Sequence, residues 1–133
     1  MIDKDIPRTF PDLNSLFEEV HSLQESLREI LIAFSNMRPD IGYTQGMAHL
    51  VGMLLMHCGP PSTCFKLFTN IVIGYDTVYH FNTFNMVYIN QYYRTFWYLL
   101  KTVYPKLFNE LVLPGDPVSA SVFIFPWVLT LFT

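Results

Sequence analysis

The chain has 133 residues, 51% of them hydrophobic and 17% aromatic, which is ample apolar material for one domain-sized core. Only 14% are charged, against roughly 25% in common soluble domains, so much of the surface is expected to meet other protein rather than water. A net charge of −3 with few, scattered Lys and Arg gives no basic field for phosphate backbones, and nucleic acid is excluded as the expected partner.

In chain order, "MIDKDIPRTF" has neither a basic n-region nor an apolar h-region, so it is no signal peptide and a cytoplasmic setting is expected. From Leu16 the positions Leu16, Val20, Leu23, Leu27, Ile30, Leu31 and Phe34 alternate steps of three and four, which predicts an amphipathic helix. Ser22 and Glu25 fit a capping box that places its start near Ser22, after the loop "TFPDLNSLF". Arg38, Pro39, Asp40 and Gly42 stop it. A second helix from about Thr44 turns Met47, Leu50, Val51, Leu54 and Leu55 inward and ends at "CGPP". Ser62 or Thr63 caps a third, with Phe65, Phe68, Ile71 and Val72 inward and Gly74 as its end. A longer segment from Phe84 to Val103 places Ile89, Tyr92, Tyr93, Phe96, Leu100 and Val103 at helical intervals before Pro105; its aromatics suit a strand, its length a helix. After the turn "LPGDP" the chain runs from Val118 to Thr133 as an apolar, buried helix, shorter than the ~20 residues that span a bilayer, which Pro126 kinks or restarts. No period-two pattern and no repeat persists, so the expected architecture is all-α, an irregular multi-helix domain over 1–133.

Several chemistries are weakened by spacing. His49 and His57 share a helix but sit two turns apart with no acid beside them, and no metal site is expected. Cys58 and Cys64 make no disulfide framework or zinc pattern, and free thiols are expected. There is no G-x-S-x-G, P-loop or G-x-G-x-x-G, so the chain is expected to bind no nucleotide by itself. The run "VYINQYYRTFWYLL" suits either a base-stacking surface or core packing, and the scarcity of interleaved positive charge favours the core.

Two polar stretches call for another account. In "IDKDIPRTF", Asp5 and Arg8 are three residues apart, close enough for the acid to hold the arginine stem, and Pro7 stiffens the backbone between them. In "IGYTQGM", the Gln45 amide has two donors and one acceptor oxygen, so it can orient a water and a phosphate oxygen without changing protonation. Gly46 keeps the first turn of the next helix low for a ligand or backbone to approach. Each stretch alone also fits a plain surface: an exposed ion pair, and a turn entering a helix.

Together they resemble the TBC domain family, the Rab GTPase-activating proteins. Ile2, Asp5, Arg8 and Thr9 match I-x-x-D-x-x-R-T, and Tyr43, Gln45, Gly46 and Met47 match Y-x-Q-G followed by Met or Leu; "ILIAFSNMRPDIG" and "PWVLTLF" are similar as well. The resemblance implies the N-terminal and central part of a TBC domain, without the family's upstream R-x-x-x-W segment and its later helices. It implies Arg8 as an arginine finger and Gln45 as a glutamine finger, with Asp5 and Thr9 supporting the first and Tyr43 and Gly46 the second. The implied role is an activator rather than an enzyme in its own right, acting on a GTP-bound Rab that brings its own Mg²⁺ and nucleotide. Peripheral membrane association would come through the Rab or flanking domains. Two other classes stay open: a noncatalytic Rab-binding scaffold in membrane traffic, and a fragment of a helical membrane protein suggested only by the apolar C-terminal stretch.

Overall fold

The computed structural model describes residues 1–9, 19–113, 116–117 and 121–131, and the fold is all-α. Helix α1 (Ile2–Asp5) runs into a 3-10 turn (Ile6–Arg8), followed by α2 (Glu19–Met37), α3 (Met47–Cys58), α4 (Pro61–Gly74) and α5 (Asp76–Asn82). Then come α6 (Met86–Val103), α7 (Pro105–Leu111) and α8 (Ser121–Thr130). Before α8, the two-residue strands β1 (Val112–Leu113) and β2 (Asp116–Pro117) pair antiparallel, Val112 opposite Pro117, around the predicted turn. The loop expected over 10–18 with Leu16, the pair Pro114 and Gly115, and the start at Val118 lie outside the described residues, as do the side chains of Val20 and His21.

Most helix starts differ from the sequence expectation, each for a local reason. Helix α2 is already helical at Glu19, so Ser22 lies inside it and is not its cap. Helix α3 begins at Met47 rather than Thr44, because Gly46 has φ +109° and a helix cannot run back through a left-handed residue. In α4 the cap is Pro60, with Pro61 in the first position where a missing N–H is harmless, and Ser62 and Thr63 follow inside. The segment expected from Phe84 starts at Met86, because Phe84 itself is left-handed at φ +51°. Helices α5 and α7 have seven residues each and were not foreseen; helices this short are held by packing more than by their own periodicity. Helix α8 continues through Pro126 without ending or restarting there.

The buried side chains fall into two clusters. The first joins Leu27, Ile30, Leu31 and Phe34 of α2 to Met47, Leu50 and Val51 of α3 and Cys64, Phe68 and Val72 of α4, with Phe34 and Phe68 edge to face at 4.8 Å. Leu23 is the exception on α2: it lies one turn before the cluster and is 37% exposed. The second cluster is built on Phe81, Ile89, Ile124 and Leu129, with Tyr92, Tyr93, Phe96 and Trp97 packed around it. One face of the aromatic run is thus core packing, while Tyr88 and Tyr98 of the same run, and Val103 beyond it, are exposed. Helix α5 serves both: Val78 belongs to the first cluster and Phe81 to the second.

Helix α8 is not the fully buried helix expected, since only Ile124 and Leu129 are buried while Val122 is 68% exposed. Its inward face alone meets the second cluster. Both thiols are free; Cys64 is buried, and burial pushes its thiol pKa up, which leaves it a packing residue. Among the described residues no helix is long and apolar enough to cross a membrane, and no group of His, Cys, Asp or Glu could hold a metal.

Candidate functional site

Two loops meet where the two clusters adjoin. In the first, Ile6 opens the 3-10 turn and is buried against the α2 and α3 core, and Pro7 follows it, its ring fixing φ in the first turn where no donor is left unmet. Thr9, buried, closes that turn: its N–H donates to the Asp5 carbonyl at 3.0 Å and its hydroxyl to the same oxygen at 2.9 Å. Arg8 is left exposed as the last residue of the turn. The second loop begins where α2 ends: Ile41 and Gly42 donate to the Arg38 carbonyl, and Arg38 grips Asp40 with its Nε at 2.8 Å. That hydrogen bond holds the Asp40 carboxyl below its ordinary pKa.

Asp5 does not hold Arg8. The carboxylate accepts a 2.7 Å hydrogen bond from the Tyr43 hydroxyl, and among the described residues the ion pairs are Arg28 with Asp3 and Arg38 with Asp40. The expectation failed because Asp5 ends α1 while Arg8 ends the 3-10 turn, so the two are not successive turns of one α-helix. The consequence is a cross-link of the two motifs, which the sequence could not reveal. Burial, and then the Asp5 carboxylate, raise the Tyr43 pKa well above the usual phenol value.

Tyr43→Phe is expected to remove about 1–2 kcal/mol of stability, measured by chemical denaturation, because a half-buried hydrogen bond to a carboxylate is lost. The sign of the pH effect follows from the raised pKa. Below the unfolded phenol value of about 10 both states are neutral and the contribution is intact; as pH climbs toward the higher folded value it is lost. Wild-type stability therefore falls above pH ~10 more steeply than that of Tyr43→Phe.

Beyond Tyr43 the second loop is locked on both sides of one exposed residue. Thr44 is buried, its hydroxyl donating to the Asn82 carbonyl of α5 at 3.2 Å and its N–H reaching the Met47 sulfur at 3.4 Å. Gly46 is buried against α8, where a Cβ would come within 3.1 Å of the Leu129 Cβ at a φ that disfavours any side chain. Gly46 is therefore the cap residue before α3 rather than part of its first turn. Between them Gln45 projects to solvent. Gly46→Ala is expected to cost about 2 kcal/mol, from left-handed strain plus overpacking on Leu129. A melting curve several degrees lower would show it.

Gln45 also lines a cleft of about 650 Å³ that the sequence did not suggest. Tyr43, Thr44 and Gly46 form one wall with His49, Phe125 and Leu129 form another, and Phe84 stands at the α5–α6 turn. Phe84 occupies the left-handed position of a helix C-terminal motif: its N–H donates to the Phe81 carbonyl, and the next N–H, of Asn85, reaches back to the His80 carbonyl at 2.9 Å. Glycine or asparagine is the usual occupant there, and a side chain costs on the order of 1–2 kcal/mol. The only sequence signal would have been a large aromatic in the polar turn "NTFN".

Of the other candidates, His57 is exposed and His80 stacks on Tyr88 at 3.9 Å, and among the described residues no imidazoles gather with other ligands into a metal-binding group. A site is defined instead by two exposed polar side chains, Arg8 and Gln45, on loops that Tyr43 and Asp5 tie together. The model of the Rab-GTPase-TBC domain matches residues 1–133. Among curated proteins the chain is 27% identical over its whole length to TBC1 domain family member 14 of Rattus norvegicus, covering 18% of that protein. It is 28% identical to TBC1 domain family member 12 of Xenopus tropicalis, covering 19% of it. It is 31% identical over 99% of its length to the human Ecotropic viral integration site 5 protein homolog, covering 16% of that protein. The chain thus spans less than a fifth of the length of these relatives. No solved structure matches it. With the family model matched from the first residue to the last, and both polar motifs seated on adjoining loops, the chain belongs to the Rab-GTPase-TBC domain family.

Proposed function

We propose that this chain carries the activating site of a GTPase-activating protein for a Rab-family small GTPase, supplying Arg8 and Gln45 in trans to a GTP-bound partner. Hydrolysis joins a water oxygen to the γ-phosphorus as the bond to the β–γ bridging oxygen breaks, giving GDP and phosphate. Its barrier falls when the water is held in line and the charge on the phosphate oxygens is neutralised. Gln45 does the first, accepting from the water through its carbonyl oxygen while its NH₂ donates to a γ-phosphate oxygen. Arg8 does the second with a planar fork of donors. Neither changes protonation, and Mg²⁺ and nucleotide arrive on the partner.

The remaining motif residues hold these two in place. Thr9 pins the backbone beside Arg8, Asp5 and Tyr43 couple the loops, and Gly46 seats the second loop on α8. The N-terminus of α3, directly after Gln45, adds a partial positive charge that favours the phosphate. The observation that carries the reading is the 2.7 Å bond between Tyr43 and Asp5, which joins the two exposed fingers through one anchored junction. The setting we infer is cytoplasmic, at the endomembranes where the partner Rab resides, in intracellular vesicular transport.

The test is single-turnover GTP hydrolysis across a panel of GTP-loaded Rabs with the full-length protein. Acceleration of at least one Rab is the expected result. Binding with no acceleration of any Rab would replace this reading with that of a recruiting scaffold.

A further inference from the structure

The cleft beside Gln45 has features that the finger chemistry leaves unused. It is lined by Phe84, Phe125, Leu129 and the loop 43–46, with Met1 and His49 also at its wall, and no Asp, Glu, Lys or Arg side chain reaches it. Phe84 is 56% exposed, yet its ring is stacked on Phe125 at 5.7 Å, so it is fixed in place without being covered. Its backbone adopts φ +51°, where glycine would make the same turn without strain. The backbone of the turn gains nothing from phenylalanine over glycine, while the ring, held against Phe125, keeps more than half of its surface in solvent. A local rule broken in favour of an exposed, preorganised aromatic marks a recognition surface.

We propose that Phe84 and this cleft receive an apolar side chain of the GTP-bound Rab and set the affinity of the encounter. The proposal rests on the reading of Gln45 as a finger. Gln45 is itself part of the cleft wall, so a GTPase whose γ-phosphate reaches Gln45 lies over the cleft as well. A mostly apolar lining without Asp, Glu, Lys or Arg side chains offers an aliphatic or aromatic occupant more burial than it offers a charged one, whose desolvation is costly. With the ring already ordered by Phe125, little side-chain freedom is lost on docking.

The experiment measures kcat and KM for stimulated hydrolysis by the full-length protein on its most responsive Rab, with thermal melting in parallel. Phe84→Gly, which suits the left-handed backbone and so keeps the turn, and Phe84→Ala are each expected to raise KM about tenfold or more, with kcat within twofold of wild type. KM within twofold of wild type in a folded Phe84→Gly, or a fall in kcat at unchanged KM, overturns the proposal. Gln45→Ala run beside it separates the two ideas: a collapse of kcat there, with Phe84→Gly unaffected, removes the docking surface and leaves the finger. A rise in KM for Phe84→Gly together with full activity of Gln45→Ala supports docking and removes the finger. A wild-type protein that stimulates no Rab overturns both.

Discussion

Arg8→Ala is expected to lower the stimulated rate of Rab GTP hydrolysis by about 10³- to 10⁵-fold, some 4–7 kcal/mol in the barrier, with little change in melting temperature. The two readouts come apart because of where Arg8 sits. It is exposed at the end of a 3-10 turn whose geometry is maintained by Ile6, Pro7 and Thr9, and Asp5 three residues before it is engaged with Tyr43. An arginine that served only as a surface ion pair would contribute roughly 0–1 kcal/mol to anything. Arg8→Lys should recover only a small part of the rate, since an ammonium keeps the charge but loses the planar fork that matches phosphate oxygens. Single-turnover hydrolysis and thermal melting of the same preparations check both statements. Loss of the folded transition in Arg8→Ala with unchanged specific activity would instead make the residue structural.

Gln45→Ala is expected to reduce the same rate by about 10²- to 10³-fold, the scale of removing one preorganised donor from a transition state. Stability should hold, because the buried contacts of this loop belong to its neighbours: Thr44 is bonded to Asn82 and Gly46 lies against Leu129. Gln45→Glu is a sharper variant, nearly isosteric but acceptor-only and negatively charged beside the γ-phosphate, and it should be no better than alanine. Gly46→Ala reverses the pattern, losing stability first and activity as a consequence. A Gln45→Ala protein with normal kcat would end the glutamine-finger reading.

How much of this was legible beforehand follows from which interactions are local. The stripe from Leu27 to Phe34, the stop after Cys58 and the inward face of α4 were readable, since periodicity and Gly–Pro chemistry act within a few residues. The start of α3 was misplaced by three residues, because the left-handed state of Gly46 depends on its fit against Leu129, far along the chain. Helix α5 went unseen for the same reason: its seven residues hold their shape by contributing Val78 and Phe81 to two different cores. At the site, the residues of both motifs could be named from their pattern, but their coupling could not. A tyrosine bonded to an aspartate 38 positions away leaves no mark on either local sequence, and an exposed phenylalanine in a turn acquires meaning only when Phe125 is found beneath it.

The seam between the two cores also governs when the site can exist. Tyr43 meets Asp5, Thr44 meets Asn82, and Gly46 meets Leu129, so the residues around Gln45 are fastened to one earlier and two later stretches of chain. Closing such long loops is slow compared with forming the helices themselves. During synthesis most of the first cluster, drawn from α2 to α4, can assemble while both polar motifs are already present in the chain, yet the loop that holds Gln45 stays unsupported on one side until α8 has docked. Support for the loop that carries Gln45 is thus deferred until α8 packs, and a chain folded only through α5 carries both motifs without the finished junction.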